Sequence, residues 1–256
     1  MSYHSSYYTS KGNNKVVNQD SFLIKEGTRE GYSIAFYVVC DGMGGLSSGE
    51  LASSTTIHYL SQWFDQYVND WIEKGSQLNL LKNALLAEIE KINHLTVTYG
   101  QKRHIQLGTT LTAMFICDET YLIAQIGDSR AYQITPTYNQ LTEDQTFVQR
   151  EIDRGRLTID QAENHPKRHV LLQCVGAVET IEIAVRSGEL NGTESFLICS
   201  DGFSNKLNQD DLPLLKQSIY DHESAAKITD ELRQRGETDD ITFIYVDVND
   251  QGAISC

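Results

Sequence analysis

Proline is scarce in this chain, with three residues in 256. No tract rich in proline, serine or glycine divides it, so no linker separates one part from another. With 40% hydrophobic residues, the length fits one compact domain over residues 1–256. Basic residues are also few: 21 Lys and Arg stand against 35 Asp and Glu, a net charge of −14. That deficit argues against a nucleic-acid partner, whose usual footprint is a basic patch. It also means that a phosphorylated substrate meets a repulsive global field, so any attraction has to be local. Cysteines number five, at 40, 117, 174, 199 and 256, with no CxxC pair. This leaves zinc and dithiol redox sites unsupported, and buried thiols in a reducing compartment are expected. No apolar run reaches membrane-spanning length, and Met1 to Gln19 has no signal-peptide core, so a cytoplasmic protein without a membrane partner is expected. No internal repeat is present.

What the chain does have is a series of apolar runs that end in acid. Ile34 to Cys40 is a continuous β-prone run followed by Asp41. Gly42, Gly44 and Gly45 then release the backbone into a turn, and Ser47 or Ser48 is placed to cap a helix. Leu60, Trp63, Tyr67 and Trp71 form one helical stripe; Leu78, Leu81, Leu85, Ile89, Ile92, Leu95 and Tyr99 form another. The two stripes predict an antiparallel helix pair joined near Gly75. Strands are predicted over 109–117, 121–126, 131–135, 182–185, 195–199 and 241–248, and helices over 212–219 and 224–235. Residues 143–169 are polar with a His165-Pro166 break. The mixed order predicts an α+β fold of antiparallel sheets with helices packed outside.

The acids themselves recur in short segments: Asn18-Gln19-Asp20, Cys40-Asp41-Gly42, Gly127-Asp128-Ser129, Ser200-Asp201-Gly202 and Asp239-Asp240-Ile241. A carboxylate at the end of a buried strand is costly without compensation. At a separation of about 4 Å, two carboxylates repel by about 1 kcal/mol in water and about 4 kcal/mol at an effective dielectric of 20. Several converging on one spot require cations, and hard divalent ions with oxygen shells, magnesium or manganese, are the natural ones.

The ordered set VNQDS, VVCDGMGG, LGTTLTAM, IGDSRAY, LICSDGF and DDIT resembles the PPM family, the metal-dependent protein serine/threonine phosphatases also called type 2C, in its bacterial form. Each motif alone is weak; six in family order, spread over nearly the whole chain, are specific. The resemblance implies a central antiparallel β-sandwich flanked on both sides by pairs of helices, with the metal site at one edge. It implies hydrolysis of phosphoserine and phosphothreonine by a water or hydroxide bridging two divalent metals, Mn2+ or Mg2+. Asp41 would bridge both metals, the Gly42 carbonyl would hold one of them, and Asp201 and Asp239 would complete the other. Asp20 would act in the outer shell, and Asp128 with Asp201 would hold a third metal. Lys15 falls where the family usually has a phosphate-binding arginine. Phosphorylated proteins and a cognate serine/threonine kinase are the implied partners, and the chain is expected to be a monomer.

The chain departs from the family pattern in places. Lys15 replaces arginine and brings a point charge in place of a planar fork. Gln19 replaces a glutamate. Asp239-Asp240 replaces an Asp-Asn pair; the register favours Asp239 as the ligand and leaves the role of Asp240 open. Met43 stands where eukaryotic members carry a histidine, so no general acid is assigned. Asp128 could instead pair with Arg130, and Lys15 could be a solvated lysine. The stretch 143–169, with His165 and His169, is expected to form a flap beside the site and to influence substrate choice. A catalytically silent binding module and a phosphatase of small metabolites are the rival readings.

Overall fold

The computed structural model describes residues 1–43 and 48–249. Gly44, Gly45, the candidate cap Ser47 and Cys256 lie outside the described residues. The elements, in chain order, are β1 (Ser2–Ser10), β2 (Asp20–Arg29), β3 (Tyr32–Asp41), α1 (Gly49–Glu73), α2 (Leu78–Arg103), β4 (Leu111–Cys117), β5 (Thr120–Ile126), β6 (Arg130–Ile134), β7 (Tyr138–Gln140), α3 (Phe147–Asp153), α4 (Ile159–Glu163), β8 (Ala184–Glu189), β9 (Ser195–Cys199), α5 (Asp201–Ser204), α6 (Leu212–Gln217), α7 (His222–Gln234) and β10 (Ile241–Asn249).

Two antiparallel five-stranded sheets face each other, in the orders β1-β10-β9-β6-β7 and β2-β3-β4-β5-β8. Strand β3 shows how this sequence makes layers. Its residues alternate between faces, and both faces are covered, so its periodicity is hidden in one continuous apolar run. Phe36, Val38 and Cys40 pack with Leu60, Trp63, Trp71, Leu85 and Ile89 of α1 and α2. Ala35, Tyr37 and Val39 pack with Phe196, Ile198, Ile244 and Val246 of the facing sheet. On the far side, Leu197, Phe243 and Tyr245 meet Leu215, Ile228 and Leu232 of α6 and α7. Helices, two sheets and helices again make the four expected layers.

The predicted helix pair forms, reversing at Gly75 and Ser76, both at positive φ. Ser48 occupies the N-cap of α1 but makes no side-chain cap bond. Three strands lie in stretches to which the sequence pattern assigns no element: β1, β2 and the short β7. Strand β1 reads Ser-Tyr-His-Ser-Ser-Tyr-Tyr-Thr-Ser, too polar to announce itself; it is an edge strand held by its register with β10, from Ser2↔Asn249 to Ser10↔Ile241. The strand expected over 182–185 runs instead over Ala184–Glu189, where it pairs with β5. Cys40, Cys117, Cys174 and Cys199 are free and buried, as expected. Among the described residues, no helix is long and apolar enough to cross a membrane.

Candidate active site

Antiparallel order brings the acidic strand ends together. The starts of β2, β4, β6 and β10 and the ends of β3, β5 and β9 share one edge of the sandwich, with Asp20 directly opposite Asp41 and Cys199 opposite both Arg130 and Phe243. Asp201 follows β9 at the start of α5, Asp128 sits in the β5–β6 turn, and Asp239 lies just ahead of β10.

The Asp41 backbone is held from both sides. Its N–H donates to the Thr110 hydroxyl at 2.9 Å, and its carbonyl accepts from the Thr110 N–H at 2.8 Å and the Thr109 hydroxyl at 2.9 Å. Gly42 donates to the Gln19 carbonyl at 3.1 Å. A Cβ at Gly42 would overlap the Gly49 and Gln19 carbonyls, so the close approach of β3, the β1–β2 loop and α1 requires glycine there. The threonines are part of LGTTLTAM, but the sequence pattern assigns them no role.

The carboxylates crowd one another. Asp20 accepts from the Ser200 hydroxyl at 2.9 Å through one oxygen, while its other oxygen is buried without a partner. One oxygen of Asp201 is likewise buried and unpartnered. Burial, partly offset by hydrogen bonds from Thr242 and Ser200 and reinforced by Asp240 and Asp201, pushes the Asp20 pKa up to about 7. Asp41 is held well above the ordinary carboxylate value by burial and then by Asp20, Asp201, Asp128 and Asp239. Burial raises Asp128, with Asp201 and Asp144 adding to it. Burial also raises Asp201, with Asp239 the largest neighbouring charge.

A divalent cation fits this donor set. It would satisfy the orphaned oxygens, stabilise the charged carboxylates against burial and relieve the repulsion that adds to it. Among the described residues no three His, Cys, Asp or Glu side chains converge tightly enough to enclose one ion by themselves. Magnesium and manganese complete their shells with backbone carbonyls and water as well as carboxylates.

Lys15 is not a solvated lysine. Its ammonium contacts Asp239 and donates to Asp240 at 3.0 Å; against the lowering effect of burial, these two partners raise its pKa. The adjacent acids have separate fates. The Asp239 side chain is 42% exposed and that of Asp240 only 1%. Both Asp240 oxygens are engaged, one by the Gly12 N–H at 2.8 Å and the other by the Gln19 N–H at 2.9 Å together with Lys15. Asp239 is the more exposed of the two, with one oxygen taken by the Lys15 ammonium and by the Asp240 N–H at 2.7 Å. Asp128 is not paired with Arg130, whose guanidinium instead grips Asp144 at 2.9 and 2.6 Å.

Two residues absent from the sequence-based candidates brace this loop. Glu237 accepts from the N–H groups of Thr238 and Asp239 at 2.7 and 2.9 Å. Arg233 in the last turn of α7 donates to the carbonyls of Asp239 and Lys11, so the loops carrying Asp239 and Lys15 are tied together. No sequence signal marks Arg233. The stretch 143–169 reaches the site at its end: His169 Nδ1 stands 3.9 Å from Asp201 Oδ2. Its base is anchored beside Asp128, where Gln145 bonds Gly127 in both directions at 2.9 and 2.8 Å. His165 instead stacks on Phe147, with centroids 5.5 Å apart.

Comparison with known proteins identifies the family and the fold. The family model "Protein phosphatase 2C" matches residues 9–237, a span that contains Lys15, Asp20, Asp41, Asp128 and Asp201 and stops just ahead of Asp239. The chain is similar to the serine/threonine phosphatase stp of Listeria welshimeri, at 29% identity over 252 residues and 96% of each chain. The crystal structure of the serine/threonine phosphatase Stp1 of Staphylococcus aureus shares the fold, with a TM-score of 0.85 at 24% identity, over 98% of this chain and 96% of that one. The catalytic domain of the serine threonine protein phosphatase PstP, solved in complex with 2 manganese ions, matches with a TM-score of 0.77 at 26% identity, over 97% of this chain and 99% of that one.

Proposed function

Since the chain belongs to the protein phosphatase 2C family, we propose that it hydrolyses phosphoserine and phosphothreonine on proteins with the help of two divalent metal ions, manganese or magnesium. The observation that carries this reading is the pair of buried, unpartnered carboxylate oxygens on Asp20 and Asp201 at the edge where five acidic segments meet. Asp41, the Gly42 carbonyl, Asp201 and Asp239 would hold the ions, Asp20 would act in their outer shell, and Asp128 with Asp201 would hold a third. When bound, the ions supply Lewis acidity that activates water and neutralises phosphate charge.

This chain's own residues do the rest. Thr109 and Thr110 fix the Asp41 backbone, so its carboxylate is preorganised. Ser200 orients Asp20 through its hydroxyl. Lys15 presents a positive charge next to Asp239, where one anionic oxygen of the substrate phosphate can be held. Substrate binding at this edge is then a local attraction in an otherwise acidic protein, consistent with the net charge of −14. The catalytic domain spans residues 1–256, with 143–169 as a flap whose His169 end borders the site. The protein acts as a monomer in the cytoplasm, opposite a serine/threonine kinase.

The test is release of phosphate from a phosphothreonine peptide with manganese, with magnesium and with chelator, in parallel with small phosphometabolites. Metal-dependent release that favours the peptide and is lost in Asp41→Ala is expected. Normal turnover in Asp41→Ala and Asp239→Ala would refute the site, and metal binding without turnover in the parent protein would point to a silent binding module.

A further inference from the structure

The two departures from the family pattern that carry charge, Lys15 and Asp240, touch each other at 3.0 Å. The geometry around them is one-sided. Asp240 is almost wholly buried, at 1% exposure, whereas Lys15 retains 24% and its neighbour Val16 is 97% exposed. The Asp240 carboxylate receives the N–H of Gly12, the N–H of Gln19 and the ammonium of Lys15. Gly12 and Gln19 stand near the two ends of the loop that joins β1 to β2, and Lys15 lies between them, its own N–H bonded back to the Gly12 carbonyl at 3.2 Å. One buried carboxylate therefore pins both ends of a loop and the charged side chain it carries. Gly12 also packs so closely on Thr238 and Asp239 that a Cβ there would overlap their backbone.

We propose that Asp240 is a positioning residue: it fixes the β1–β2 loop and holds the Lys15 ammonium beside Asp239, so that this lysine meets the substrate phosphate from a set position. The inference rests on the phosphatase reading above and deepens it. A lysine on a flexible four-carbon stem is a poor fixed point by itself, and the buried carboxylate supplies the fixed point. The role needs an acid. An asparagine of the same shape offers one acceptor oxygen, and its amide N–H groups would face a backbone N–H or the ammonium, donor against donor. Asp240 touches neither phosphate nor, with both oxygens engaged, a metal; it acts through Lys15.

The experiment compares Asp240→Asn, Lys15→Met and the double variant in the manganese-loaded protein, with melting temperatures to confirm folding. Loss of one charge-assisted hydrogen bond predicts a rise of about tenfold in KM for a phosphothreonine peptide in Asp240→Asn. kcat is expected to stay within about twofold, because the contact is made in the ground state as well. In the Lys15→Met background, Asp240→Asn should add less than about twofold to KM, since both changes remove the same contact. A merely structural role would instead give independent effects. Equal KM effects in both backgrounds, or no KM change in Asp240→Asn, would overturn the proposal.

Calorimetric titration of inorganic phosphate reads the same contact without turnover. It should show about tenfold weaker binding in Lys15→Met, which leaves the buried acid in place should Asp240→Asn fail to fold. Unchanged phosphate affinity in Lys15→Met overturns the proposal. If Asp41→Ala abolishes turnover while the KM and phosphate effects are absent, the inference fails and the phosphatase reading stands. If no variant or parent turns over, yet phosphate binding weakens in Asp240→Asn and Lys15→Met alike, the reverse holds.

Discussion

The protein treats its buried acids in two ways, and the contrast marks out the candidate site at the sandwich edge. Away from that edge, Asp211, Glu194 and Glu151 are all matched. Asp211, fully buried, is gripped by Arg235 at 2.6 and 2.7 Å and accepts from the Asn208 N–H at 2.8 Å. Glu194 accepts from the backbone of Asn191 and Thr193, and although burial opposes it, these bonds hold its pKa below the ordinary value. Glu151 draws on Arg150, Arg154 and Arg156. At the sandwich edge, Asp20 and Asp201 each keep a buried oxygen without a partner, and the pKa values of Asp20, Asp41, Asp128 and Asp201 all rise. The same chain supplies arginines and backbone donors to its structural acids, whereas among the described residues Asp20, Asp41, Asp128 and Asp201 form no ion pair with a lysine or arginine. Such a cluster is built for a partner from outside, and divalent metal is the partner whose charge suits it.

The contrast can be broken first at its centre. Asp41→Ala and Asp201→Ala should each lower kcat on a phosphothreonine peptide by on the order of a thousandfold or more. The metal-free melting temperature should hold or rise, because a repelled charge has been removed. At the matched acid the outcome inverts: Arg235→Met should destabilise the fold by roughly 3–5 kcal/mol by stranding the Asp211 charge. Manganese affinity, read by calorimetry, should be unchanged in that variant.

A pH series separates the two kinds of acid further. In the unfolded chain Asp20 titrates near 3.8 and in the folded one near 7, so the unfolded state releases its proton first. The stabilisation is fully present below about pH 4 and is lost as the pH rises through about 7. Thermal melts in chelator should therefore fall between those values. Melts with manganese should rise over the same window, because metal binding needs deprotonated ligands. A rise with pH in chelator would contradict the account of the edge. The smallest effect is expected at Ser200, which donates to Asp20 and accepts from the Thr242 N–H: Ser200→Ala should cost about 1–3 kcal/mol of stability, read as a lower midpoint in urea.

Much of the fold is legible in the amino-acid order alone. The apolar runs that form β3, β4, β5, β9 and β10 are long, β-prone and bounded by turns, and the stripes of α1 and α2 repeat at helical spacing. The family resemblance adds the order of the layers. Strand β1 is not legible, because it is an edge strand rich in serine and tyrosine, made a strand by pairing with β10 at the opposite end of the chain. The brace from Arg233 is not legible either. It joins the carbonyls of Lys11 and Asp239, and backbone carbonyls leave no mark in sequence.

The sequence by itself determined which acids lie at strand ends, because a run that must be buried announces itself by composition and an acid that follows it stands out. Only the tertiary structure decided how Asp239 and Asp240 divide their labour. Adjacent residues at the head of a strand point to opposite sides, and which side is closed depends on a loop from the far end of the chain. Here Gly12, Lys15 and Gln19 close over Asp240, and Asp239 is left facing the site.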